Sequence, residues 1–125
     1  MYICTSDSTK NLTKNFAMKN LQTLGTLMVD NEDLESLLNW NDAKKMIELL
    51  NSQDYKGFND WRLPTKIELN EMYLKKDFIG GFSSNFYWSS SEYNANYAWI
   101  QYFFDGFQGY DSKDSSTLVR CVRSV

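Results

Sequence analysis

Between Trp40 and Leu50 the apolar residues return at helical spacing. Trp40, Ala43, Ile47 and Leu50 share one face, while Lys44, Lys45 and Glu48 fall elsewhere. The pattern predicts an amphipathic helix over 39–51, with Asn39 or Asn41 as its cap. A second helix is predicted after Pro64. Thr65 and Glu68 stand at capping-box spacing, and Leu69, Met72 and Tyr73 then share a face. Lys75-Lys76 suits the negative end of that helix's dipole, and Gly80-Gly81 breaks the pattern into a loop. Residues 1–26 are less patterned. Tyr2-Ile3-Cys4 predicts a short strand, and Leu12, Phe16, Leu21 and Leu24 are loosely helix-spaced before a stop at Gly25. Leu24 to Val29 reads as another short strand. From residue 86 onward the signal is β: Tyr87-Trp88, Tyr97 to Phe104, Gly106 to Tyr110 and Thr117 to Val122 are aromatic and β-branched, punctuated by Gly, Asn, Asp and Ser. Two helices followed by a run of strands predict an α+β domain rather than alternating βαβ units. With no internal repeat and no linker, residues 1–125 are expected to form one domain.

Composition narrows the chemistry. The 125 residues suffice for one hydrophobic core, and the 42% apolar and 23% charged content is ordinary. Aromatic content of 16% is high, and much of it follows residue 82. No apolar run reaches the roughly 18 to 20 residues of a membrane span, so membrane insertion is not expected. Met1 to Asp7 lacks the basic and apolar regions of a signal peptide, which leaves cytoplasmic synthesis or a trimmed leader, with surface or virion display open. A net charge of −3 with interspersed signs argues against nucleic acid. Between 83 and 115 the one basic residue, Lys113, faces Glu92, Asp105, Asp111 and Asp114, so a polyanion-binding face is not expected there.

The absence of histidine excludes His-based triads, Cys–His pairs and His-ligated metals, and two cysteines cannot make a four-thiolate site. Ser89-Ser90-Ser91 therefore lacks the usual base for a serine nucleophile and reads as strand and turn. Trp40-Asn41-Asp42 resembles a calcium-ligand triplet of sugar-binding lectins, but at a helix start it reads as a core Trp followed by polar cap residues. Asn11-Leu12-Thr13 matches a glycosylation sequon. Trp61 is expected in the core, with Arg62 tying loops together through its five donors. No catalytic residue, metal ligand or cofactor is assigned.

Four clusters in order carry a resemblance: Asp60-Trp61-Arg62-Leu63-Pro64-Thr65, Tyr87-Trp88-Ser89-Ser90, Ala98-Trp99 with Phe103 and Gly106, and Val119-Arg120-Cys121-Val122-Arg123. With Trp40 and Ala43 on the first helix, they resemble a bacterial and phage family typified by the C-terminal domain of the collagen-like adhesin Lcl. The match is strongest over 24–125. It implies a C-type-lectin-like fold, with two helices and a small, mainly antiparallel, twisted sheet, related to the formylglycine-generating enzymes and to retroelement-diversified variable proteins. It implies a binding module rather than an enzyme, because the catalytic relatives need two closely placed cysteines. Where many members carry a Cys that pairs with the terminal Cys, this chain has Ile47. Cys121 is then left with Cys4 as its intrachain partner, or both stay reduced. Val29 replaces a Trp frequent in the family's early strand.

Strand alternation places Trp99, Gln101 and Phe103 on one face and Ala98, Ile100, Tyr102 and Phe104 on the other. The resemblance makes Phe103 a core position, so Ile100, Tyr102 and Phe104 are expected on the opposite, exposed side. Phe107 and Tyr110 from the next strand and Tyr93, Asn94, Asn96 and Tyr97 from the preceding loop join them in an expected aromatic and amide binding surface. The related variable proteins carry randomised positions in this region. Tyr93, Asn94, Asn96, Tyr97, Ile100, Tyr102, Phe104, Asp105, Phe107, Tyr110 and Asp111 all hold residue types that adenine randomisation of Asn codons permits. The expected partner is a protein or glycan on a cell or phage surface. The alternative is an assembly module that buries its aromatic face in a homo-oligomer, most simply a trimer.

Overall fold

The computed structural model describes residues 21–125. The strand predicted at Tyr2–Cys4, the sequon at Asn11 and the Cys4 half of a bridge to Cys121 lie outside these residues. Where a helix stop was expected, Gly25 instead turns a hairpin. Strands β1 (Gln22–Leu24) and β2 (Leu27–Val29) pair antiparallel with Leu24 opposite Leu27, and Gly25 adopts a φ of 62° between them. A left-handed residue in a two-residue loop is the conformation that Gly supplies at least cost. Leu24 of the loosely helix-spaced residues stands in β1, while Leu12 and Phe16 lie outside the described residues.

Both predicted helices form. In α1 (Trp40–Ser52) the Asn39 side chain accepts from the Asp42 amide, and Trp40, Ala43, Ile47 and Leu50 are buried. In α2 (Lys66–Leu74) the Thr65–Glu68 capping box closes in both directions, and Leu69 and Met72 are buried. The chain continues directly into a further short helix, α3 (Lys76–Ile79), before Gly80. Lys76 thus starts an element as well as following one.

The strands form two three-stranded antiparallel sheets in place of one. One has the order β1-β2-β6, with β6 at Val122–Ser124, and the other β3-β4-β5, with β3 (Phe86–Glu92), β4 (Tyr97–Tyr102) and β5 (Gln108–Ser112). The second sheet lies between the helices. Trp88, Ala98 and Ile100 pack with Trp40, Ala43, Ile47 and Leu50 of α1. Tyr87 and Phe103 pack with Leu69 and Met72 of α2. A strand covered on both faces loses its apolar–polar alternation.

The predicted strand 117–122 is regular only from Val122. Before that, each stretch of backbone bonds a different part of the chain. Thr117 pairs with Leu38, Leu118 with Phe86 and Trp88, Val119 accepts from Leu34, Cys121 accepts from Asp30, and Val122 exchanges two bonds with Arg62. Two of the sequence clusters therefore interlock. Arg62 forks onto Glu68 at 2.7 and 2.9 Å and reaches Ser124, while Arg123 holds Asp60 and stacks over Phe58. Arg62 does tie segments together. Fully buried Arg120 donates to Asp33 and to the Asp30 and Gly80 carbonyls, with Phe82 beneath its guanidinium. Burial pushes the Asp33 carboxyl up against the pull of Arg120. Asp33 also accepts from the Tyr87 hydroxyl, and Asp30 from Tyr55 and Lys56.

Candidate ligand-binding face

Cross-strand pairing sorts the predicted site residues. Phe86 lies opposite Tyr102, Trp88 opposite Ile100, and Ile100 opposite Gly109, so these share the α1 side of the sheet. Trp99 opposite Tyr110, Tyr97 opposite Ser112 and Gln101 opposite Gln108 share the α2 side. The residues expected on one surface are therefore divided between two. Ile100 belongs to neither: it is 6% exposed, in the core beside Trp88 and Ala98. Its expected exposure assumed that β4 buries one face, and β4 buries both.

On the α2 side, helix α2 covers the middle of the sheet and stops short of one end. Gln101, fully buried, donates to Asn70 and to the Gly106 carbonyl and accepts from Gln108, which also reaches the Lys66 carbonyl. Beyond Lys66, at the start of α2, lie Tyr93, Tyr97, Trp99 and Tyr110. The Tyr93 and Tyr110 rings stack with centroids 3.9 Å apart and planes within 8°. Both stand nearly perpendicular to Trp99, at 80° and 87°, and Tyr97 meets Tyr110 edge-on. Lys66 Nζ lies 3.5 Å from the centroid of the Trp99 ring. A hydrogen bond with Tyr110 holds the Tyr93 phenol above its ordinary value. Tyr93, Tyr97 and Tyr110 are all exposed by 39% or more, although they touch one another.

Trp99 differs from the other tryptophans. The indoles of Trp40, Trp61 and Trp88 each donate to a backbone carbonyl, of Ser89, Tyr55 and Leu38 respectively. Trp99 is half-buried, and its N–H has no partner among the described residues. Reasoning from alternation placed Trp99 on the same face as Phe103 and so passed it over as core; Lys66 carried no sequence signal that singled it out. A Trp beside a Tyr-rich loop was the available signal.

The loop beneath this cluster is built by the amides predicted to bind. The Asn94 side chain accepts from the Asn96 and Tyr97 amides, so Asn94 shapes the β3–β4 turn, while Asn96 is exposed. Lys113 anchors the turn, donating to Glu92 at 2.6 Å and to the Ala95 carbonyl. That bond holds the Glu92 carboxyl below its usual range. The Ser89–Ser91 run fills an irregularity in β3: Ser89 Oγ donates to the Trp99 carbonyl, and Ser91 Oγ accepts from the Lys66 amide.

The α1 side carries a second, more apolar cluster. Phe86 and Tyr102 stack at 4.4 Å, Phe104 lies 5.8 Å from Tyr102, and the Phe107 ring folds over Gly109. Phe104 and Phe107 are 65% and 60% exposed. Asp105 accepts from the Phe107 amide, and Asp111 accepts from the Ser112 amide and the Ser115 hydroxyl, so both carboxylates shape turns. Elsewhere, an open cleft of about 300 Å³ is lined by Lys76, Asp77, Phe82 and Phe103 among others. Its cation is already committed, because Lys76 donates to the Phe103 carbonyl. Cys121 is fully buried, and that burial pushes its thiol well up, which makes it a poor nucleophile. No helix among the described residues is long and apolar enough to cross a membrane.

Two helices flanking a small antiparallel sheet, with long loops locked by the C-terminal segment, define a C-type-lectin-like domain. The same fold is found in EMS16, an antagonist of the collagen receptor integrin alpha2beta1 (GPIa/IIa), with a TM-score of 0.55 over 85% of this chain and 98% of that one, at 10% identity. The sequence model of the Lcl C-terminal domain matches residues 4–123, and the chain belongs to that family. No curated protein gives a significant match.

Proposed function

We propose that this domain is a non-enzymatic ligand-binding module of the adhesin or receptor-binding type, engaging a protein or glycan partner through Tyr93, Tyr97, Trp99 and Tyr110. The observation that carries this reading is Trp99. Three tryptophans have their indole N–H groups bonded within the scaffold, whereas that of Trp99 has no partner among the described residues and stands in an exposed tyrosine cluster. Tyr and Trp offer large contact areas at small entropic cost and keep a polar group for pairing. The test is capture of glycan-array and cell-surface partners by the intact domain and by a Trp99→Ala/Tyr110→Ala variant. Loss of capture with a near-unchanged melting temperature is expected. A melting temperature that falls as far as in Trp88→Ala would make the cluster scaffold and sink the reading.

The second cluster supports a second reading, assembly. Phe86, Tyr102, Phe104 and Phe107 form an exposed apolar patch suited to a further copy of the chain. Light scattering should then give an oligomer that Phe104→Ser/Phe107→Ser converts to monomer; a wild-type monomer at high concentration rejects it. Retroelement diversification, if it acts here, is compatible with the exposed positions Tyr93, Asn96, Tyr97, Phe104, Phe107 and Tyr110. It conflicts with Ile100 in the core and Asn94 in the turn. An adenine-mismatched near-copy of the corresponding gene segment tests it, and its absence nearby excludes the idea.

A further inference from the structure

Resting on the binding face just proposed, we infer that the Tyr93–Trp99–Tyr110 cluster recognises a cation, the ammonium or guanidinium of Lys and Arg side chains presented by a partner protein. The cluster already holds one. Lys66 Nζ approaches Trp99 more closely than any other cation approaches a ring among the described residues. That ammonium has no carboxylate partner among them, while the backbone of Lys66 is fixed, its amide on Ser91 and its carbonyl on Gln108. The side chain is thus a tethered cation on a flexible stem, held by the ring and exchangeable without disturbing helix α2.

Ring geometry and net charge support the same occupant. Two rings perpendicular to a third give a cation more than one π surface to approach, and attraction to the ring quadrupole is strongest for indole. Guanidinium, planar and weakly hydrated, is the better guest, because it stacks as well as attracts. The carboxylates nearest in sequence lie off this face: Glu92 and Asp111 both stand opposite Ala98, on the α1 side of the sheet. The base among them, Lys113, is spent on Glu92 and the Ala95 carbonyl. The net charge of −3 over the whole chain favours a basic partner over an anionic one, and it gives a neutral saccharide no charge-based advantage.

The test follows the Trp99 indole N–H signal by nitrogen-15 NMR, which also reports the three bonded indoles as internal controls. The intact domain is titrated with a ten-residue Arg/Lys peptide, its Asp/Glu counterpart and maltohexaose. The basic peptide should move the Trp99 signal alone, with affinity that falls as salt is added. Lys66→Ala, which keeps both backbone bonds, removes the internal competitor and should tighten binding roughly two- to fivefold. Unchanged or weaker binding in Lys66→Ala overturns the proposal. So does movement of Trp99 by the saccharide or the acidic peptide but not by the basic one, although the binding face then stands with a different ligand. If no probe moves Trp99, the cation reading fails, and the capture assay decides separately whether the face binds anything.

Discussion

Gly106 sits where no side chain fits. Its φ is 87°, and a Cβ there would lie 2.5 Å from the Tyr73 ring, which packs edge-on to Phe103. Gly106→Ala should therefore cost about 2–4 kcal/mol, from the strained backbone and the overlap together. Denaturant unfolding measures it, and adding Tyr73→Ala should recover the steric part while leaving the backbone part. Other residues show why the site was only partly readable. The aromatic surplus between 93 and 110 was visible as composition, and Tyr93, Tyr97 and Tyr110 are indeed exposed. Ile100 was misplaced because alternation gives a parity without saying how many sides are covered. Trp99 was missed for the same reason, since sharing a face with Phe103 does not mean sharing its burial. Those distinctions depend on where α2 begins relative to the sheet, which is a tertiary fact.

The elements themselves were more legible. Both main helices announced themselves through local chemistry, a cap and an apolar stripe, and formed within a residue or two of their predicted bounds. The segments that failed lacked such local signals: Gly25, with one left-handed turn, and 117–121, whose partners are all distant. Helix α2 supplies a pH prediction. The hydrogen bond from Arg62, with lesser help from the Thr65 amide, holds the Glu68 carboxyl below its ordinary value of 4.5. A carboxyl depressed in the folded state contributes stability that is fully present above its unfolded value and lost as pH falls through the folded one. The melting temperature should therefore drop below about pH 4.5, and part of that drop should vanish in Glu68→Gln. At neutral pH the same substitution should cost about 1 kcal/mol through the lost charged fork with Arg62, since Gln still serves the capping box. A Glu68→Gln profile parallel to wild type through the acid limb would show that Glu68 takes no part in it.

At the scale of the molecule, Arg120 joins the β2–α1 loop, the Gly80 turn and the C-terminal segment. One of its nitrogens, Nη2, is buried without a hydrogen-bond partner among the described residues, close against Gly81, where a Cβ would also meet the Asn31 carbonyl at 2.7 Å. Replacing Arg120 by Ala would strand Asp33 and two carbonyls in the interior. A loss of about 3–5 kcal/mol is expected, read as a shift in the urea midpoint; a change under 1 kcal/mol would mean that water takes over its role. The segment that carries Arg120 is thus an organising strut of the scaffold.

That strut also sets a timetable. The bonds that close the structure span 87 residues from Arg120 to Asp33 and 63 from Arg123 to Asp60, and they are made by residues synthesised after the helices and the β3-β4-β5 sheet. Loop closure over such distances is slow, so refolding should take milliseconds to seconds, well behind a helical protein of this size. A nascent chain lacking residues 117–124 can form its capped helices but lacks the segment whose backbone ties Asp30, Leu34, Leu38, Arg62 and Phe86 together. On a stalled ribosome, protease resistance should appear abruptly once that segment clears the exit tunnel, and gradual protection from residue 90 onward would contradict this. Until then both aromatic clusters are exposed together, which makes synthesis the interval in which this chain most needs protection from aggregation.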